Sequence, residues 1–229
     1  MVNTFHRVVM PLVILATVHS PLLAQAGGAE YALRWKTGGP AAAEEAVRVL
    51  KLTGPQKRTV FQVEYFDIGN PPLPGKAPIA RRRTSEGKVE LTLKYRADAV
   101  PAAFDQEVAC PLGKKVQVKR ETDISVDAGV TPHPVTSISC ERQARKAINF
   151  PESLRAVSRG CVNTMVRIAV DGFKVEEWQF PRGRVIEVSM AGGNNARDME
   201  RFAAVVRRLP LDKLEIEDRS KSEAGSSCN

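Results

Sequence analysis

The segment Lys88–Arg96 constrains the fold most, because apolar and polar side chains alternate along its whole length. A period of two is typical of a β-strand with one apolar and one polar face. Three consecutive arginines stand just upstream at positions 81–83, and Ser85-Glu86-Gly87 favours a turn that folds the two segments into a hairpin. We expect several cationic side chains to share one face there. The pattern predicts a basic concave surface that binds an anion.

Two further hairpins are indicated by Asp171-Gly172 and Arg182-Gly183. A two-residue turn at Asp171-Gly172 places Arg167 opposite Glu176 and Met165 opposite Trp178. A two-residue turn at Arg182-Gly183 places Trp178 opposite Glu187 and Glu176 opposite Ser189. Since opposed side chains share a face, these strands should carry one polar patch and one apolar face. Within the patch we favour an Arg167–Glu176 ion pair over an acid–base role for Glu176 with Glu187.

Weaker patterns place the other elements. Strands are predicted at residues 31–36, 58–67 and 114–120, with another ending near Cys140, and helices at residues 41–52 and 196–209. Residues 143–158 have moderate helix propensity that Pro151 interrupts. Many two-faced strands with few helices indicate an α+β fold built on an antiparallel barrel or a strongly curved sheet with a polar inside. The same alternation is also typical of a sheet whose ionic face is solvated.

Residues 1–26 have the pattern of a secretory signal peptide. His6 and Arg7 precede an apolar run at residues 8–16, and Ala24-Gln25-Ala26 is a small-residue cleavage site. We then expect a barrel domain at residues 27–216 and a polar tail at residues 217–229. No later apolar run is long enough to span a bilayer, so the prediction is an exported protein, periplasmic or secreted.

The four cysteines, Cys110, Cys140, Cys161 and Cys228, all follow the signal peptide. An even number of cysteines in an oxidising compartment favours disulfides, and three complete pairings remain open. Their spacing is far from that of a zinc site.

Charge and composition limit the possible functions. The formal net charge is +8, which favours acidic partners, although it also serves solubility. Only 6% of residues are aromatic, and the sequence has no block of basic residues interleaved with aromatic ones. Binding of single-stranded nucleic acid is therefore not indicated. Beyond the signal peptide His133 is the only histidine, and there is no GxSxG motif, so no catalytic residue is assigned.

A first strand ends in Lys36, and Val63-Glu64-Tyr65-Phe66-Asp67, the arginines, Thr92-Leu93-Lys94 and a late strand with Glu187 follow in that order. This order resembles the CYTH, or triphosphate tunnel metalloenzyme, superfamily. The resemblance implies a tunnel of about eight antiparallel strands in which basic residues hold phosphates and acidic residues hold a divalent metal. The residues that match the phosphate-holding positions are Lys36, Arg81, Arg83, Lys94, Arg96 and Arg167.

The chain departs from the family at the metal site. Two alternating glutamates precede the lysine of the family's first strand, and Ala32 and Arg34 stand there instead. A guanidinium in place of a carboxylate repels a metal. The late acidic strand also has Ser189 at its second acidic position. Glu30 could supply a carboxylate ligand only if the first strand were shifted by two residues. We therefore expect no cofactor; if Mg²⁺ or Mn²⁺ binds, Glu176 and Glu187 are the candidate ligands. Lys221 matches a late basic residue of some tunnel proteins, but its polar surroundings predict simple exposure.

Three functions are consistent with these patterns. The first is an exported tunnel protein that binds a phosphate-rich or polyanionic ligand and has lost the metal site. The second is an active metal-dependent triphosphate or polyphosphate phosphohydrolase. The third is an envelope structural or protein-interaction module with solvated ionic faces. The ligand and the oligomeric state remain open at this point.

Overall fold

A computed structural model describes residues 28–75, 77–96 and 105–225. The predicted signal peptide and Cys228 lie outside the described residues. Within them the strands are β1 Gly28–Trp35, β2 Lys57–Ile68, β3 Ile79–Ser85, β4 Lys88–Arg96, β5 Gln117–Val126, β6 Pro132–Ala144, β7 Ala156–Val170, β8 Phe173–Phe180 and β9 Gly183–Gly193. The helices are α1 Ala43–Val49, α2 Gln106–Ala109, α3 Ala196–Val206 and α4 Lys221–Gly225.

The nine strands of the described chain close into a barrel in the order β1-β5-β6-β4-β3-β2-β7-β8-β9. All neighbours are antiparallel except β1 and β5, which run parallel. The α+β class and the barrel are therefore confirmed, while the expected eight antiparallel strands are corrected to nine in a mixed sheet. The correction arises because β1 inserts between β5 and β9, and alternation within a strand does not reveal the direction of its neighbour.

The main hydrophobic core lies outside the barrel wall. Leu33 and Trp35 of β1 point outward, and they belong to one cluster with Leu50, which follows α1, and with Phe202 and Val206 of α3. Asn195 caps α3 because its side chain accepts a hydrogen bond from the Asp198 amide at 2.9 Å. Since the apolar faces of the strands are buried under helices, the polar faces are left to line the inside.

A second cluster, which contains Leu91, Leu93 and Tyr95 of β4, packs under α2. The Cys110–Cys140 disulfide ties the end of α2 to β6 there. Cys161 is disulfide-bonded as well. The helix propensity of residues 143–158 is not realised, because β6 runs to Ala144, a 3-10 turn spans Glu152–Leu154 and β7 begins at Ala156.

Of the two predicted registers, the one for β7–β8 is right and the one for β8–β9 is wrong, and the predicted β3–β4 hairpin forms. Arg81 pairs with Thr92 across a turn at Glu86-Gly87, and Arg167 pairs with Glu176 as expected. The β8–β9 turn, however, lies at Pro181-Arg182 and not at Arg182-Gly183, so Glu176 pairs with Glu187 and Trp178 with Val185. The error is two residues along β9, which keeps every side chain on its predicted face.

Among the described helices, none has the length and apolar character needed to traverse a bilayer.

Candidate functional site: the barrel cavity

The inside of the barrel holds a cavity of about 440 Å³, which we call the barrel cavity. Its described lining is dominated by charged side chains. The basic members are Arg34, Arg81, Arg83, Lys94, Arg96, Lys119, Arg167, Lys174 and Lys221, and the acidic members are Glu30, Glu90, Glu121, Asp123, Glu141, Glu176 and Glu187. Nine basic groups against seven acidic ones leave the lining slightly positive.

The β3–β4 hairpin supplies one side of the cavity. Arg81 and Arg83 point inward from alternate positions of β3 and share Glu90 of β4, at 3.7 Å and 3.4 Å. The Nε–H groups of both arginines are buried and have no acceptor among the described residues. Because a buried donor without a partner is costly, these two groups are sites where a bound anion would contribute favourable hydrogen bonds.

The middle arginine of the run faces the other way. Arg82 donates to both oxygens of Glu64, at 2.8 Å and 2.9 Å, and lies outside the cavity. The period of two in β3 thus separates the three consecutive arginines into a pair that lines the cavity and one that forms an outer ion pair.

Electrostatics at Arg83 indicate an excess of positive charge on this side. Burial, together with repulsion from Arg81 and Arg167, lowers the pKa of Arg83 from its ordinary value to about 10, despite the attraction of Glu90. For Glu90, burial alone would raise the pKa, but Arg83, Arg81 and Arg167 lower it. One carboxylate therefore faces three guanidinium groups.

Lys94 and Arg96 line the cavity from β4, as the resemblance implies. Both face Asp123 of β5, with Oδ2 at 2.8 Å from Lys94 Nζ and 3.2 Å from Arg96 Nε. Asp123 was not among the predicted site residues, because the strand predicted nearby ended at residue 120. These two cations are already partly neutralised within the protein.

Glu176 and Glu187 face each other on β8 and β9 and form the acidic side of the cavity. Their side chains are only 2% and 3% exposed. Arg167 contacts Oε1 of Glu176 at 2.6 Å, which confirms the predicted ion pair, and the Trp178 indole N–H donates to Oε2 at 2.9 Å. Burial would raise the pKa of Glu176, but Lys221, Arg167 and Arg83 hold it well below its usual value.

Lys221 completes this side, and its predicted exposure is wrong. Its Nζ donates to Glu187 Oε1 at 2.7 Å and to Glu176 Oε2 at 3.1 Å, and it lies 5.3 Å from the centre of the Trp178 ring. Burial lowers the pKa of Lys221, but Glu176, Glu187 and Glu30 outweigh burial and raise it. The ammonium group is therefore held between two buried carboxylates.

The helix α4 carries Lys221 into the barrel. Ser220 and Glu223 form a capping box: the Glu223 carboxylate accepts from the Ser220 amide at 2.7 Å, and the Ser220 hydroxyl accepts from the Glu223 amide at 3.3 Å. At the other end of α4, Asn163 donates to the Gly225 carbonyl at 2.9 Å. The tail predicted from residue 217 thus contributes to the barrel as far as residue 225. The Ser-x-x-Glu spacing is the sequence signal that could have indicated this helix.

Glu30 of β1 lies in the cavity, whereas Lys36, which directly follows β1, lies outside it. Glu30 lines the cavity next to Lys174 at 3.2 Å; burial would raise its pKa, but Lys174 and Lys221 lower it from 4.5 to about 2. Lys36 lies away from the described lining and pairs with Glu215 at 3.0 Å. Of the six predicted anion ligands, the structure brings five together in the cavity, and Lys36 is the exception.

The acidic side does not fit a divalent metal. Mg²⁺ requires near-octahedral oxygen coordination, whereas Glu176 and Glu187 are already bonded to Arg167 and Lys221. Arg34 adds a third cation, 3.9 Å from Glu187, at a position where the sequence resemblance predicts a glutamate. Within the described ranges no cluster of three or more Asp, Glu, His or Cys side chains is arranged to hold a metal.

No family model and no curated protein matches the sequence. Solved structures do match. HpAC1 from Hippeastrum, described as having a dominant triphosphatase activity, has a TM-score of 0.51 at 13% identity, over 86% of this chain and 94% of that one. An adenylate cyclase-like protein from Vibrio parahaemolyticus has a TM-score of 0.50 at 14% identity, over 88% and 99%. The fold is that of the CYTH-like tunnel proteins, as the sequence resemblance predicted.

Proposed function

We propose that the barrel cavity binds a phosphate-rich or other polyanionic ligand and does not turn it over. The observation that carries the proposal is the pair of buried Nε–H donors on Arg81 and Arg83 that lack an acceptor among the described residues. Oxyanions accept such hydrogen bonds in bidentate geometry, and arginine is the side chain best suited to them. A bound anion would also relieve the repulsion between Arg83, Arg81 and Arg167.

We further propose that the protein is exported, which also narrows the ligand class. The Cys110–Cys140 disulfide supports an oxidising compartment, because such bonds are rare in the cytosol. Nucleotides are scarce outside the cytoplasm, so inorganic polyphosphate or a phosphorylated envelope component fits better. Tripolyphosphate is a suitable probe for this class.

The test is thermal unfolding of the mature protein with tripolyphosphate in EDTA. A ligand at roughly 100 times its dissociation constant adds about 2.7 kcal/mol to the free energy of unfolding, which raises the melting temperature by several degrees. Arg81→Met should abolish the rise. Arg82→Met is the matched control and should keep it, because Arg82 is bonded to Glu64 outside the cavity. Equal behaviour of the two variants would refute the proposed site.

A second candidate is a metal-dependent phosphohydrolase. It is favoured by the description of HpAC1, whose fold is similar, as a dominant triphosphatase. Release of phosphate from tripolyphosphate that needs Mg²⁺ or Mn²⁺ and is lost in Glu187→Gln would establish this function in place of simple binding. If tripolyphosphate neither shifts the melting temperature nor releases phosphate under any condition, the remaining function is an envelope interaction module. Charge reversal at Lys94 and Arg96 that leaves every binding assay unchanged would lead to the same conclusion.

A further inference from the structure

We infer that Lys221 is a built-in cation that occupies the place of a divalent metal between Glu176 and Glu187, so that the barrel cavity accepts its anion without metal. The last part rests on the proposed function. The first part concerns only Lys221 and the two carboxylates, and it can be tested separately.

Two buried glutamates stand directly opposite each other here. Glu176 and Glu187 are paired across β8 and β9, and like charges in such a pair destabilise a sheet. Both side chains are almost fully buried, so solvent does not screen the repulsion. A cation between them is therefore required for the barrel to close with both groups ionised.

The ammonium group satisfies this requirement directly. Lys221 donates one hydrogen bond to each glutamate, and the Trp178 ring faces the same nitrogen. A cation over an aromatic face is stabilised further when it is removed from water. Arg167 neutralises the remaining oxygen of Glu176, so the described residues complete the coordination of that carboxylate.

The fold holds this ammonium group in place. Ala224 is buried, Asn163 donates to the Gly225 carbonyl, and a side chain on Gly225 would collide with Tyr65, so α4 is docked as a fixed element. A metal in this place would have to displace Lys221 and compete with Arg167. We therefore expect metal-free anion binding by the protein.

The experiment compares the wild-type protein, Lys221→Ala and Lys221→Arg, with Lys119→Ala as the matched control. Lys119 lines the same cavity but pairs with the single carboxylate of Glu141, at 2.7 Å. Melting temperatures and Mn²⁺ binding are measured for each protein, with Mn²⁺ binding followed by electron paramagnetic resonance.

Wild-type protein should bind no Mn²⁺. The melting temperature should fall further in Lys221→Ala than in Lys119→Ala, and Mn²⁺ should restore part of the fall in Lys221→Ala. Lys221→Arg should stay close to the wild type and also exclude Mn²⁺. Mn²⁺ binding by the wild type that disappears in Glu187→Gln, or a Lys221→Ala variant as stable as the wild type, would overturn the inference.

Tripolyphosphate titration separates this inference from the proposed function. Wild-type protein should bind tripolyphosphate in EDTA as well as in Mn²⁺, and binding that occurs only with Mn²⁺ would overturn metal-free binding. If tripolyphosphate fails to bind in both, the proposed function fails. The Mn²⁺ and melting results then still decide the role of Lys221.

Discussion

Replacing Arg83 with methionine should stabilise the protein while it weakens tripolyphosphate binding. Arg83 is only 10% exposed, and burial together with Arg81 and Arg167 lowers its pKa from its ordinary value to about 10. The lowered pKa determines the sign of the effect on stability. A cationic group whose pKa falls on folding holds its proton less favourably in the folded state, so its charge destabilises that state at neutral pH.

The size of the effect follows from the same pKa. The fall of the Arg83 pKa from its ordinary value to about 10 corresponds to roughly 3 kcal/mol against the charged form. Methionine has a similar apolar stem and no charge. Part of the gain is lost because Glu90 loses Arg83, at 3.4 Å, and keeps the more distant Arg81, at 3.7 Å. We expect a net stabilisation of about 1–3 kcal/mol, with a melting temperature raised by about 2–4 °C per kcal/mol for a chain of this size.

Urea unfolding without phosphate is the assay, and Arg82→Met is the control. Arg82 is bonded to Glu64 on the outer face, so its loss should destabilise by about 1 kcal/mol or less. If Arg83→Met is destabilised as much as Arg82→Met, the buried charge is well satisfied without a ligand. The reasoning behind the anion site would then be refuted.

Two further outcomes are expected. Gly225→Ala places a Cβ 2.7 Å from Tyr65 Cε2 and 3.0 Å from Phe180 Cε1, so α4 should undock from the barrel. Amide hydrogen exchange should then become faster at residues 221–225 while β8 and β9 stay protected. Unchanged exchange would contradict the described packing. Glu30, whose pKa is lowered to about 2, should contribute stability that is complete above its ordinary value near 4.5 and lost as the pH falls towards 2. Since the Glu30 side chain remains 32% exposed, we expect the free energy of unfolding in urea to fall by about 1–2 kcal/mol over this pH range in the wild type. The fall should be smaller in Lys174→Met. An equal fall in both proteins would refute the stabilising role of the Glu30–Lys174 pair.

The cavity face of most strands was predictable from local alternation. In β3 and β4 every second side chain points inward, so Arg81, Arg83, Lys94 and Arg96 could be assigned without knowing the neighbours of either strand. The Asp171-Gly172 turn fixed the β7–β8 register, because both of its residues have the positive φ of a type I′ turn.

The β8–β9 turn was misplaced for a local reason. Gly183 has a φ of 138°, but it lies at the start of β9, opposite Phe180, and the turn consists of Pro181-Arg182. A glycine therefore marked the turn region without marking its centre. The parallel β1–β5 pair was not predictable, since the two directions of pairing leave the same alternation in each strand.

Lys221 was missed because its partners are distant in sequence. Glu187 and Glu176 lie 34 and 45 residues before it, and the residues around Lys221 are polar. The spacing of Ser220 and Glu223 is compatible with a capped helix, but the local sequence does not show the surface against which that helix packs. The docking of α4, in which Asn163 donates to the Gly225 carbonyl and Ala224 is buried, brings the ammonium group into the cavity.

The position of β1 has a consequence for how the chain folds. Gly28 pairs with Gly193, and the Tyr31 hydroxyl donates to the Gly193 carbonyl across 162 residues of sequence. Hairpins such as β3–β4 and β8–β9 form from neighbouring residues, whereas β1 must pair with β9, which is distant in sequence, before the barrel closes. Contacts of such separation are slow to form. Until β1 and β9 pair, both are open sheet edges at which another chain can pair, so aggregation competes with the last step of folding.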